Sequence, residues 1–394
     1  MKRFSAHYIF LGDGSAPLRN GVVEVDAKGV VTDIIRAERG EEVAHTQFLN
    51  GIITPGFVNA HCHLELSHMT PRGIDGNGLV TFVEKMVSGK GKYAEQEVVA
   101  GIMKADKAML DNGIVAVGDV SNTAASLGIK RESKIYYHTF CEALGLKSSI
   151  AQDVFSRNAM LGKWFELSAL PFTVVAHAPY TVSKELFALL FAQDFSVSSL
   201  HLAESATERE FYCTHSGAMW DLVERQLGKE VLSDFNPNKL SVVDFLIDLI
   251  PKRKSMLFVH NTDLRNEEYQ RLTHHFDSNN KPYFCTCPKS NLIIEGRLPD
   301  YSIFTENMCI GTDSLASNNS LSILEEMKII AQHVPTIELN ILVEWACHNG
   351  AKALKVNDRF GSIAIGKTPG LNFIDGIDFD KMALTSKSTV KPLV

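Results

Sequence analysis

Eight short apolar runs, each separated from the next by a longer segment, leave this chain few folds to choose from. The first ends near His63. The others are Ile114–Val120, Ile135–Glu142, Thr173–His177, Val197–His201, Met256–His260, Tyr283–Cys287 and Cys309–Asp313. Runs of this length, rich in Val, Ile and Phe, read as buried strands. The spacers read as helices, most clearly over residues 95–112, where apolar positions recur at helical spacing and Gly113 supplies a stop. Eight strands with helical spacers are what a closed parallel (β/α)8 barrel requires.

The two ends of the chain are patterned differently. Residues 2–54 carry short alternating runs, such as Gly21-Val-Val-Glu-Val and Gly29-Val-Val-Thr-Asp-Ile-Ile, broken by Gly and Asp. They predict a small antiparallel sheet. The same style returns at Gly361-Ser-Ile-Ala-Ile-Gly-Lys and beyond. The expected layout is therefore an α/β chain in two parts. A (β/α)8 TIM barrel spans 55–360, and a small β-sandwich domain is formed by residues 1–54 and 361–394. A length of 394 residues accommodates a barrel plus an accessory domain.

Active sites of such barrels lie at the C-terminal ends of the strands. That rule turns the strand list into a site list: His61 and His63, His177, His201, His260 and Asp313. Alternation along a strand points His61 and His63 the same way, which makes half of a metal site. Taken singly, a His-x-His pair or a Gly-Thr-Asp-Ser turn is commonplace; five strand ends together are not. His61, His63, His201 and Asp313 make a mixed nitrogen and oxygen set. It suits one divalent ion, Zn²⁺ or alternatively Fe²⁺, better than Mg²⁺ or Ca²⁺. Such an ion lowers the pKa of bound water towards about 7, which provides hydroxide near neutrality. Asp313 can also accept a proton. Glu204, three residues after His201, can protonate a substrate nitrogen and then the leaving group. His260 can steady the tetrahedral centre.

Composition excludes some other jobs. A formal charge of -7 argues against binding a phosphate backbone, which needs a basic face. No apolar run approaches 18 residues, so no membrane span is expected, and no signal peptide is visible before Gly12-Asp-Gly-Ser. Seven scattered cysteines fit reduced thiols in a cytoplasm rather than a disulfide framework.

Read as a set, Pro55-Gly-Phe-Val-Asn-Ala-His-Cys-His, His177-Ala-Pro-Tyr-Thr-Val-Ser, His201-Leu-Ala-Glu, Val259-His, Cys287-Pro-Lys-Ser-Asn and Gly311-Thr-Asp-Ser resemble the amidohydrolase superfamily. The closest branch is that of the aminohydrolases and chlorohydrolases, which includes cytosine, guanine, S-adenosylhomocysteine and aminofutalosine deaminases. The resemblance implies a distorted barrel and one catalytic metal on His61, His63, His201 and Asp313. It also implies Glu204 and His260 as the proton-handling pair, His177 facing the substrate and Asn291 shaping the pocket. Strand four ends in His177 rather than the lysine that binuclear members carbamylate, which argues for a mononuclear deaminase. Cys141-Glu-Ala-Leu-Gly145 resembles the Glu-x-x-Gly of aminofutalosine deaminases and some chlorohydrolases, so Glu142 is a candidate substrate contact.

Residues Gly73–Met86 read as a lid edge, where Phe82 either stacks on an aromatic base or simply packs. The expected function is hydrolytic deamination of a small amino-substituted N-heterocycle, a purine or an adenine nucleoside, with an aminofutalosine-like compound favoured. Two readings compete with it: a chlorohydrolase or alkylaminohydrolase of triazine-like rings, and a non-catalytic metal-binding scaffold. Proteins of this kind are frequently dimers, so a homodimer is an expectation that no segment of the sequence singles out.

Overall fold

The computed structural model describes residues 1–36, 43–69, 77–89, 91–233 and 235–394. The barrel strands are β6 (Phe57–Cys62), β7 (Ile114–Ser121), β8 (Tyr136–Ala143), β9 (Phe172–Ala176), β10 (Ser198–Leu202), β11 (Met256–His260), β12 (Tyr283–Thr286) and β13 (Met308–Ile310), preceded in the chain by β1 to β5. All eight apolar runs of the sequence are strands. Nearly every residue in them is buried on both faces of the sheet, which is why they read as continuous apolar runs rather than alternating ones. The helix read over 95–112 spans Glu95–Asp111, and Gly113 follows with a φ of 75° that favours glycine.

The eight strands pair in parallel as two groups of four, β6-β7-β8-β9 and β10-β11-β12-β13. Two seams join the groups. On one, the amide of His201 donates to the carbonyl of His177 at 3.0 Å. On the other, the amides of Thr312 and Asp313 donate to the carbonyl of His61 at 3.0 and 3.1 Å, and Cys62 bridges to Asp313 in parallel. The ring of strands is distorted at these seams, and both are built from residues of the site list.

The chain ends share one sheet of seven strands. It contains β1 (Lys2–Ile9), β2 (Leu18–Arg19), β3 (Gly21–Val25), β4 (Val31–Arg36) and β5 (Thr46–Pro55), with β14 (Leu371–Asp375) and β15 (Thr389–Pro392). Phe4, Ala6, Ile9, Val23, Val31 and Ile53 from the first end pack with Ile363 and Leu371 from the last. The sheet is not wholly antiparallel as expected: β1 and β5 run parallel. The β3–β4 hairpin intervenes between them and returns the chain in its original direction. Leu371 of β14 pairs with Pro55 of β5, and β6 begins two residues after Pro55. The chain thus passes almost directly from this sheet into the strand that carries the paired histidines.

One close approach is set by a glycine. A Cβ on Gly311 would lie 2.8 Å from the carbonyl oxygen of His61, 2.9 Å from its Cβ and 2.8 Å from Cys285 Sγ. Gly311→Ala is therefore expected to destabilise the protein by roughly 1–3 kcal/mol through overpacking. It should also reduce metal retention, because the atom displaced belongs to His61. Thermal unfolding and elemental analysis check it; an unchanged metal content would show that the seam tolerates the methyl group.

Candidate active site and metal centre

The sequence-predicted strand-end residues converge. His61 and His63 present their Nε2 atoms to each other at 3.1 Å. Asp313 Oδ1 lies 3.9 Å from His61 Nε2 and 3.6 Å from His63 Nε2. The His201 ring stands 4.9 Å from that of His61 and 5.6 Å from that of His63. One ring nitrogen from each of these three histidines falls within 4.8 Å of the others.

Local structure explains the pairing. A register shift between Asn59 and Cys62 sets three steps of β6 against two of β7, a bulge immediately before the site. Bulges re-aim side chains next to active sites. Strand ends facing the cluster are also held in the left-handed region: Ala203 (φ 48°), His260 (φ 71°), Asn261 (φ 56°) and Asp313 (φ 57°). Such backbone persists only where surrounding structure enforces it.

Hydrogen bonds settle which nitrogens are available. His201 Nδ1 is 2.8 Å from the carbonyl of His177. A carbonyl can only accept, so Nδ1 carries the proton and Nε2 is bare. His260 Nδ1 likewise bonds Asn291 Oδ1 at 2.8 Å, leaving Nε2 as an acceptor 3.6 Å from Glu204 Oε1. Asp313 Oδ2 accepts from the hydroxyls of Ser290 and Ser317, each at 2.6 Å, which turns Oδ1 towards the imidazoles. Burial pushes the imidazoles of His61, His63, His201 and His260 below their ordinary value, so they are neutral near pH 7. Neutral imidazole is the ligand form.

These residues fit a divalent cation. Ring nitrogens of His61, His63 and His201 converge beside Asp313 Oδ1, the Nε2 atoms of His61 and His63 face each other at 3.1 Å, and His61 Nδ1 is buried without a partner among the described residues. A lone-pair cluster of this kind is unfavourable without a positive charge. The donor set, imidazole with one carboxylate, is that of Zn²⁺ or Fe²⁺ sites.

Glu204 is placed by the start of the helix Ala206–Cys213. Ser205 Oγ accepts the amide of Glu208 at 3.2 Å, and Glu208 Oε2 accepts the amide of Glu204 at 2.8 Å. The Glu204 side chain is thereby held beside His260, with the Tyr180 hydroxyl donating to Oε2 at 3.3 Å. Burial pushes its carboxyl up to about 7. A carboxyl titrating there can donate or accept a proton near neutrality.

Glu142 and His177 stand on the other side of His201. Glu142 Oε1 is 3.7 Å from His201 Nδ1, and the rings of His177 and His201 are 4.8 Å apart. Burial pushes His177 down to about 4, so it too is neutral. Asn291 is buried beside His260, and its amide nitrogen has no partner among the described residues. Phe82 is different. It lies on the helix Leu79–Gly89, half-buried against the main core, and no ring contact or hydrogen bond joins it to the imidazoles among the described residues. The expected lid edge falls in part on residues 73–76, which lie outside the described residues.

Sequence reasoning passed over several supports. Tyr180 and Ser290 sit inside the quoted motifs at 177–183 and 287–291, so position alone could have flagged them. Glu65, two residues past His63, accepts from the amides of Asn122 and Thr123 at 2.7 and 3.1 Å. Asn122 in turn reaches Glu142 Oε2 at 3.2 Å. No local pattern announces a bond between segments 57 residues apart.

The chain is similar to known proteins in sequence and fold. An adenosine deaminase of Helicobacter pylori is 28% identical over 335 residues, 82% of this chain and 79% of that protein. The crystal structure of the Helicobacter pylori aminofutalosine deaminase in complex with methylthio-coformycin superposes over the whole of both chains, with a TM-score of 0.81 at 24% identity. An adenosine deaminase structure from Xanthomonas campestris with bound zinc covers 97% of this chain and 86% of its own, with a TM-score of 0.72 at 20% identity. These two structural likenesses are likenesses of fold. The match of residues 52–392 to the Amidohydrolase family profile spans both the barrel and the last strands of the small sheet, and the chain belongs to that family.

Proposed function

We propose that the protein is a hydrolytic deaminase of an amino-substituted N-heterocycle, with an adenine nucleoside, aminofutalosine-like or simpler, as its substrate class. One observation carries this reading: a buried carboxyl poised near neutrality, Glu204, stands beside a cluster of converging imidazole nitrogens at the mouth of a barrel. The names of the relatives above support the choice of an adenine ring. A divalent cation, Zn²⁺ in preference to Fe²⁺, would be held by His61, His63, His201 and Asp313 and would supply a water acidified to a pKa of about 7.

The remaining chemistry belongs to the side chains. Glu204 in its acid form delivers a proton to the ring nitrogen next to the carbon under attack, which makes that carbon electrophilic. It is then recharged by the proton that the adding water loses. That proton passes to the exocyclic amine and the carbon–nitrogen bond breaks; as ammonia departs, the added hydroxyl returns its proton to Glu204 and the ring carbonyl forms, which restores the acid form. His260 Nε2, bare because Nδ1 is tied to Asn291, accepts a hydrogen bond from the water and orients it. Glu142, His177 and the free amide of Asn291 flank the heterocycle. All seven cysteines are unpaired, which supports a reducing compartment such as the cytoplasm; no helix among the described residues is long and apolar enough to cross a membrane.

Ammonia release by the zinc-loaded protein tests the reading. Adenosine, a 5′-substituted adenosine, guanine, cytosine and a chlorinated triazine make up the panel. Ammonia from an adenine compound is expected. Chloride from the triazine with none of the bases deaminated would move the protein to the chlorohydrolase reading instead.

A further inference from the structure

Asp119 and Lys130 form an ion pair of 2.6 Å in which neither side chain reaches solvent. Asp119 lies on β7 opposite Cys62, and Lys130 lies on the short helix Leu127–Glu132. Such a pair is a weak source of stability. Desolvating both charges costs about as much as their attraction returns, and apolar replacements of similar volume are often no less stable. What the pair touches points to another role.

Lys130 Nζ has three protons and three acceptors: Asp119 Oδ2, Ser121 Oγ at 3.0 Å and Thr139 Oγ1 at 3.0 Å. Its ammonium is thereby fixed. That in turn fixes the carboxylate, whose other oxygen, Oδ1, accepts the amide of Leu64 at 2.7 Å. Leu64 is fully buried, and its amide lies past the end of β6, where the ladder with β7 has stopped. A buried amide needs an acceptor, and Asp119 supplies it from the strand that outlasts β6. The peptide so anchored is the one between His63 and Leu64, so the bond orients the backbone from which His63 projects.

We propose that Asp119, held in place by Lys130, is a positioning residue for the cation site: it aligns His63 through the amide of Leu64. The proposal rests on the metal reading above. Partners that orient a metal-ligating histidine commonly act through its ring nitrogen; this one acts through the next peptide.

Two double variants separate positioning from stability. Asp119→Leu with Lys130→Met removes both charges and the acceptor. Asp119→Asn with Lys130→Met removes both charges but keeps an oxygen for Leu64. Full-length protein is stripped with a chelator, its thermal unfolding is recorded, and Zn²⁺ affinity is then measured by chelator competition. The leucine variant, which leaves the buried Leu64 amide without an acceptor, is expected to unfold at a lower temperature than the wild type and to bind Zn²⁺ about 10- to 100-fold more weakly. The asparagine variant, which keeps the acceptor but lacks the ammonium that fixes it, is expected to stay within about tenfold of wild-type affinity.

Wild-type affinity in a folded leucine variant overturns the proposal. So does a loss of more than about tenfold in the asparagine variant, which guards against a leucine variant that fails to fold. A wild-type protein that binds no Zn²⁺ in the same competition would overturn the metal reading and this proposal with it, a result distinct from a variant that matches the wild type.

Discussion

Glu204→Gln is expected to lower kcat by about 10²- to 10⁴-fold, the range for loss of a positioned acid–base group, while metal content stays at the wild-type level. Glutamine keeps the volume of the side chain and can still meet the Tyr180 hydroxyl and His260, but it cannot deliver a proton. A second consequence concerns stability. In the folded, metal-free protein burial raises the Glu204 carboxyl from 4.5 to about 7. Between those values the unfolded chain has released a proton that the folded chain still holds. Stability therefore falls as pH rises through that window, and the deficit persists above it. Glutamine never ionises, so the variant should exceed the wild type by up to about 3 kcal/mol above pH 7. The two should coincide below about pH 4. Chelator-treated samples unfolded at several pH values, alongside steady-state kinetics, check both parts. Unchanged turnover in the variant would remove Glu204 from the mechanism.

His61→Ala and His63→Ala should each abolish metal retention and activity together. Each removes one of two imidazoles whose nitrogens stand 3.1 Å apart, and the survivor cannot close the set with His201 and Asp313 alone. The loss should exceed the 10- to 100-fold that outer partners cost. His63→Ala should be the milder of the two for folding, because His61 is wholly enclosed whereas His63 retains 9% of its surface exposed. Elemental analysis of the purified variants, with unfolding recorded in parallel, distinguishes a lost ligand from a lost fold. A variant that folds and keeps a full complement of metal would show that the ligands lie elsewhere.

Much of this site is legible in the sequence because a barrel converts order along the chain into position on a rim. Once eight runs are recognised as strands, their last residues must face one another, and His61, His201, His260 and Asp313 follow without any knowledge of pairing. Glu204 is readable for the same reason, since it lies three residues past a strand end. Bonds that depend on register are not readable. The bulge between Asn59 and Cys62 shows only against β7, and the grip of Asp119 on Leu64 joins residues 55 apart. The parallel pairing of β1 with β5 is hidden likewise, because alternation marks a strand's faces but not the direction of its neighbour. Phe82 shows the limit for aromatic residues: a helical phenylalanine looks the same from sequence whether it meets a ligand or the core.

The split of the strand ring into two sets of four has a further meaning. His61 and His63 belong to the first set, whereas His201 and Asp313 belong to or adjoin the second. Neither half of the molecule owns more than two of the four proposed ligands, so an ion seated among them would work as a keystone between two arches. Its binding would then be coupled to the backbone bonds that join the arches, and a protein loosened along those joints would hold the ion less tightly.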